Sequence, residues 1–313
     1  MPISLRRGVV TALVEAHERL VRLEVDGIAC VAYPRLTGEV EVGDEVLVNE
    51  QARLLELGSG GFDVLYANLT RGLGLEPEQG AHVMALPYTP GQVTGRYTEE
   101  LDYLAGSLDG MPVVLCTLHS QVAPVCAGLV GTRVSYVQVA GGALPVSLSD
   151  TLRVLRERGL VEVACAVAPC LDGDAQFVTG AAALAWAKEQ GYDAVVCSVG
   201  PGIVGTGTRL GHGALSLADA ANVANALGGR PVLAVRTSDA DSRERHRGVS
   251  HHAQAVLDLC LGQVVVPEDA DGEGWDEACA GLPLSHMGRG PEDDPAFFRA
   301  AYAAGAVARR MLG

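Results

Sequence analysis

DAVVCSVGPGIVGTGTRLGHG, residues 193 to 213, runs from an unbroken apolar segment straight into a corner where glycine recurs, and the fold of the chain turns on that junction. The apolar half shows no alternation of polar and apolar positions. Strands buried on both faces look like this in parallel sheets. The same texture recurs from residue 112 onward in PVVLCTL, VSYVQVA, VEVACAVA, PVLAVR and QVVVP, each separated from the next by a helix-length segment. Alternation of that kind predicts a mostly parallel, Rossmann-like three-layer α/β domain.

The intervening helices carry their own end signals. SLSDTLRVLRERG offers Ser147 or Ser149 as N-cap, apolar Leu148, Leu152 and Leu155 on one side, and Gly159 as a left-handed stop. SLADAANVANALGG repeats the scheme with Ser216 as cap and Gly228 as terminator. Ser250 is placed to cap a third helix, whose Ala253, Val256, Leu257 and Cys260 follow helical spacing.

Upstream the period is different. In LVRLEVD, residues 20 to 26, Val21, Leu23 and Val25 alternate with Arg22 and Glu24, the pattern of a strand with one face in a core. GVVTALVEA, LVRLEVD, IACVAYP, EVLVN, FDVLYANL and HVMALPY follow one another closely, with turn signals at Asp26-Gly27 and Gly43-Asp44. Such spacing predicts a small antiparallel β-barrel over residues 1–86. GSGGF, 58 to 62, reads as a turn between two of these strands. PYTPGQ, 87 to 92, ends the alternation, so the α/β domain is expected over residues 87–313.

Composition removes several function classes. A formal net charge of -15 repels polyanions, so nucleic acid is not an expected partner. No run of 18 apolar residues is present to span a bilayer, and the first twenty residues lack a cleavable leader, which predicts a cytoplasmic protein away from membranes. Eight cysteines without a C-x-x-C read as buried, reduced thiols. Lys188 is the sole lysine, so Schiff-base and P-loop lysine chemistry are out of reach and arginine must supply positive charge.

In an open parallel sheet ligands bind beyond the carboxyl ends of the strands, where loops lead into helix N-termini. The segments that follow the expected strands bring His119-Ser120-Gln121, Gly141-Gly142, Asp172 and Asp174, GPGIVGTGTRLGHG and RTSDADSRERHRGVSHHAQAV to that edge. Gly200, Gly202 and Gly205 formally spell G-x-G-x-x-G, yet the helix starts only near Ser216 and the next strand ends at Arg236. A dinucleotide site needs the helix to begin within the motif and an acidic residue about 20 positions on, so no cofactor is named. The glycines with Thr206, Thr208 and Arg209 suit an anion cradle, or an ordered loop that packs on its neighbour. Residues 236 to 252 set Arg236, Arg243, Arg245 and Arg247 against Asp239, Asp241 and Glu244, a local cationic excess in an acidic chain. His251 and His252 fall in the first turn after Ser250, where an anion is also favoured.

GPGIVGTGTRLGHG and ERHRGVSHHA, with VNEQARLLELGSGGFDVLYANLTRG, LPYTPGQ, LHSQVAPV, GGALPVSLSD and MGRGPEDDPAFFRAA, resemble a bacterial family, domain-of-unknown-function family 3866, from about residue 40 to residue 300. The resemblance implies a bacterial cytoplasmic protein and carries over no activity and no catalytic residue. The residues themselves predict a site for a small anionic molecule, phosphorylated or carboxylated. Gly205, Thr206, Gly207, Thr208, Arg209, Arg245, Arg247 and His251 are its expected contacts, and His119, Asp172 and His246 its acid-base candidates. No metal ligand is assigned, because neither H-x-x-x-H nor H-E-x-x-H occurs. A metal-dependent hydrolase built on His119, Asp172, Asp174, Asp239, His246, His251 and His252 is the alternative. A sensor or docking module, with the barrel serving a homodimer, is the third.

Overall fold

Period-two alternation becomes a closed barrel. In the computed structural model, which describes residues 2–55 and 61–313, the strands are β1 (Leu5–Ala16), β2 (Val21–Val25), β3 (Ile28–Ala32), β4 (Glu45–Asn49) and β5 (Asp63–Asn68). Two single helical turns, α1 (Pro34–Thr37) and α2 (Gln51–Leu54), interrupt them. The order around the barrel is β1-β2-β3-β5-β4, every pair antiparallel except the parallel pair β3–β5. β1 can serve two partners because it is twelve residues long and shifts register after Val10 and again after Leu13. Asp26 and Gly27, both at positive φ, make the two-residue turn that suits the twist of the β2–β3 hairpin. Val10, Leu23, Val25, Cys30, Val46, Val48 and Leu65 fill the interior. Residues 58–60 of the GSGGF turn lie outside the described residues.

The sixth expected strand does not join the barrel. HVMALPY contributes only β6 (Val83–Ala85), which pairs with β7 (Val93–Gly95) as a separate ribbon, and PYTPGQ is the bend between them. Prolines at 87 and 90 cannot donate to a ladder, which keeps the pairing to three residues. Contacts divide the chain into two compact units, Met1–Gly95 and Arg96–Gly313.

In the second unit the apolar runs are six parallel strands: β8 (Pro112–Cys116), β9 (Val134–Val139), β10 (Val163–Val167), β11 (Ala175–Phe177), β12 (Ala194–Val199) and β13 (Arg230–Ala234). Their order is β11-β10-β9-β12-β8-β13. The helices are α3 (Val122–Gly128), α4 (Asp150–Glu157), α5 (Gly180–Glu189), α6 (Ser216–Ala226), α7 (His251–Leu259), α8 (Trp275–Ala278) and α9 (Pro295–Arg310), with a last small ribbon, β14 (Thr237–Ser238) against β15 (Gly248–Val249). One face of the sheet packs on α5, α6 and α7, the other on α3, α4 and α9, which explains why the strands show no polar alternation. QVVVP, expected as a strand, makes a single parallel bridge, Val265 to Val232, at the open edge of β13; Gly262 and Pro267 bound it too closely for a longer ladder.

Ser149 caps α4 by accepting from the Leu152 N–H, and Ser250 caps α7 by accepting from the His252 N–H. Ser216 does not cap. Residues 213–215 already form a 3-10 turn, so Ser216 is the first residue of α6 and its hydroxyl makes no capping bond. All eight cysteines are unpaired, and seven are buried. Among the described residues no helix is long and apolar enough to cross a membrane.

The glycine corner packs loop against loop. Ala143 N–H donates to Pro201 O and Val204 N–H to Gly141 O, so the segment after β12 lies on the segment after β9. A Cβ on Gly142 would stand 2.1 Å from the Gly200 carbonyl oxygen, a backbone atom with no freedom to withdraw. Gly142→Ala is therefore expected to lower unfolding stability by about 2 kcal/mol through overpacking. Urea unfolding of the variant checks this, and an unchanged midpoint would contradict the packing.

Candidate functional site

Four histidines gather where the segments after β12 and β13 meet. After β12 the chain turns back on itself, Gly205 bridging to His212, and this sets the buried His212 ring beside the first turn of α7. After β13 the ribbon β14–β15 ties the stem of the 239–247 loop, and Ser250 N–H donates to Arg236 O. His246 is thereby returned to the base of its own loop, next to His251 and His252 at the start of α7. His212 stacks on His252 with ring centroids 3.9 Å apart, His251 and His252 are at 4.5 Å, and His246 lies 4.9 Å from each of these two.

Three of the rings form a candidate ligand set. One ring nitrogen from each of His212, His251 and His252 lies within 4.8 Å of the others. Both nitrogens of His212 and Nε2 of His251 are buried without a hydrogen-bond partner. Orphaned buried polar atoms each cost about 1–3 kcal/mol, and their presence on two of the three rings marks a place for something to bind. Zinc at about 2.0–2.1 Å from tetrahedral nitrogens holds them roughly 3.4 Å apart, so the cluster need close by only about an ångström.

Arginine surrounds the rings. Arg236 is 2% exposed, and its Nη1 donates to His252 Nδ1 at 3.1 Å. A guanidinium can only donate, so His252 carries its own proton on Nε2. The nearest acid to Arg236 is Asp241, at 3.8 Å, and Asp241 is already committed: it receives Arg243 through two nitrogens and Arg289 at 3.4 Å. The Arg243 bonds hold the Asp241 carboxyl well below the usual carboxylate range. Burial first, then neighbouring arginines, pushes His246 down to about 3. Burial, then His212 and Arg236, pushes His252 down to about 2. His212 and His251 are lowered for the same leading reason, with Arg245 the next cause at His251. All four imidazoles are neutral at physiological pH, the form that binds metal.

The residues singled out from sequence fall in several places. His251 and His246 are in the cluster, and Arg245, exposed, stands near enough to His251 to act on it. Arg247 is exposed. The exposed Thr206 and Thr208 share a hydroxyl-hydroxyl bond of 2.8 Å, Gly207 between them is open, and Arg209 pairs with Asp258 on α7. Arg209→Ala should move the melting temperature by no more than about 2 °C, since that pair is solvated; calorimetry decides it.

His119 faces away from Ser120. Its Nε2 meets Ser149 Oγ at 2.6 Å and its Nδ1 meets the Val199 carbonyl at 3.3 Å, while burial pushes it down to about 4. Ser120 Oγ reaches His286 Nδ1 at 3.4 Å, and His286 stacks on Phe297. Asp172 occupies a left-handed position, φ 64°, in the turn between β10 and β11. His212 and Arg236 are the residues that site reasoning on the sequence passed over as ligand and partner. The available signal was weak: one histidine in RLGHG, and one arginine at a strand end.

A barrel followed by a parallel α/β unit, with a histidine and arginine cluster at the strand carboxyl ends, defines the class of protein. The chain belongs to the family described as Protein of unknown function (DUF3866), whose model matches residues 29–274. Comparison with curated proteins returns no match.

Proposed function

We propose that His212, His251 and His252 bind a divalent transition metal, and that the protein is a metal-dependent enzyme of the hydrolase class acting on a small anionic molecule. The carrying observation is the convergence of three neutral imidazoles, one from the loop after β12 and two from the first turn of α7, with buried nitrogens on His212 and His251 that have no hydrogen-bond partner. Three protein ligands leave a fourth position open, the pattern of catalytic rather than structural zinc. A metal in such a site lowers the pKa of a bound water and makes it a nucleophile near neutral pH. His246 serves as a positioning residue: its Nδ1 meets Ser250 Oγ at 2.7 Å, and Ser250 caps the helix that begins with two of the ligands.

A metal-free anion sensor is the second reading, favoured by the buried, poorly compensated Arg236. Calorimetric titration of purified, chelator-treated protein with zinc separates the two. The metal proposal expects about one zinc per chain and loss of binding in His251→Ala. Absence of uptake of zinc, cobalt and manganese, together with a thermal shift by phosphate alone, would leave only the sensor.

A further inference from the structure

We infer that metal and a small oxyanion enter the three-histidine centre together, each raising the affinity for the other, with Arg236 passing from His252 to the anion as the metal arrives. This rests on the metal reading above and goes on to say what completes the centre.

The ligand set brings no negative charge. Three neutral imidazoles leave a bound dication with its full charge, and the charged groups acting on these rings are arginines: Arg236 on all three, Arg243 and Arg245 also on His251. Among the described residues, the carboxylate acting on the four-histidine cluster is Asp241, at His246, and Arg243 and Arg289 already occupy it. A metal ion arriving alone would stand among uncompensated cations.

Arg236 supplies the coupling. A neutral imidazole has one lone pair, and on His252 that lone pair, at Nδ1, accepts from Arg236. Coordination through Nδ1 takes the lone pair from the arginine; coordination through Nε2 moves the proton to Nδ1, which then cannot accept. Either way the guanidinium loses its partner. Its Nε already has none, and Asp241 at 3.8 Å is a poor substitute. An oxyanion in the open metal position offers oxygen to the metal and to the freed fork at once, the geometry that guanidinium matches best in phosphate and carboxylate. Arg245 is exposed, makes no hydrogen bond or ion pair among the described residues, and acts on His251, so it adds charge at the rim.

The test is a cobalt(II) titration of the full chain, followed by d–d absorption, in a buffer free of coordinating anions and again with inorganic phosphate or with acetate. Phosphate or acetate is expected to tighten cobalt binding by about tenfold, within the usual range of site-site coupling, and cobalt to tighten the anion equally. A larger gain with phosphate assigns a phosphorylated ligand; a larger gain with acetate assigns a carboxylated one. Arg245→Ala, at an exposed position, should reduce the gain to about threefold or less while cobalt still binds without anion. Arg236→Lys, with folding checked by circular dichroism, should reduce it further. Equal cobalt affinity with and without either anion, or an undiminished gain in Arg245→Ala, overturns the coupling and leaves the metal reading standing. No cobalt binding in any buffer overturns both.

Discussion

Zinc at about a thousand times its dissociation constant should raise the melting temperature of the unit Arg96–Gly313 by about 8–16 °C, and His212→Ala should erase that rise. The size follows from linkage: a ligand that binds only the native state at that excess adds about 4 kcal/mol, and a domain of this length gains about 2–4 °C per kcal/mol. His212 is the informative position because it is the ligand contributed by the other loop. Its ring nitrogens have no side-chain partner, only the Arg209 backbone acting on the ring, so truncation removes a ligand while changing metal-free stability by only about 1 kcal/mol in either direction. The two remaining ligands, His251 and His252, are neighbours on one helical turn and cannot enclose an ion by themselves. Scanning calorimetry with and without zinc reads both quantities. A full shift retained in His212→Ala would remove this ring from the centre and, with it, the reason for linking the two loops.

The edge of the sheet at which these loops meet was legible in the sequence, because apolar runs such as Ala194–Val199 can be buried on both faces only in a parallel sheet, and that fixes where ligand loops emerge. The cationic excess of residues 236 to 252 in an otherwise acidic chain was legible too. What the sequence could not display is convergence. His212 and His252 lie forty positions apart with no metal spacing between them, and they meet because a hairpin at Gly205–His212 and a ribbon at Thr237–Val249 each turn a loop inward. Glycine was ambiguous for a related reason. Gly142 and Gly200 permit backbone to approach backbone, yet the same residue type lets backbone approach an anion, and only the partner atom distinguishes the two. Arg209, an expected ligand contact, pairs with Asp258 on a different element, a contact no local pattern records.

Mild acid should destabilise the metal-free protein above the pH range in which carboxylates titrate. Burial pushes His119 and His286 down to about 4, whereas a histidine in the unfolded chain titrates near 6.5. Between those values the unfolded state binds the proton and the folded state does not, so the stability these groups confer is complete above about pH 6.5 and is lost as pH falls toward 4. From pH 6.5 to 5 each costs about 1.6 kcal/mol, and the two together about 3 kcal/mol. His246 and His252 are lowered further and act in the same direction. Against a typical total of about 5–15 kcal/mol, a loss of that size removes a substantial part of the stability of the α/β unit by pH 5. Asp241 also contributes stability that acid removes, but its window opens only below the ordinary aspartate value of about 3.9, so the two causes separate along the pH axis. Urea midpoints measured from pH 7.5 to 5 should fall steeply below 6.5, and His119→Gln should make the fall shallower by about one proton. A midpoint constant across that range would mean that these rings take up protons inside the folded protein.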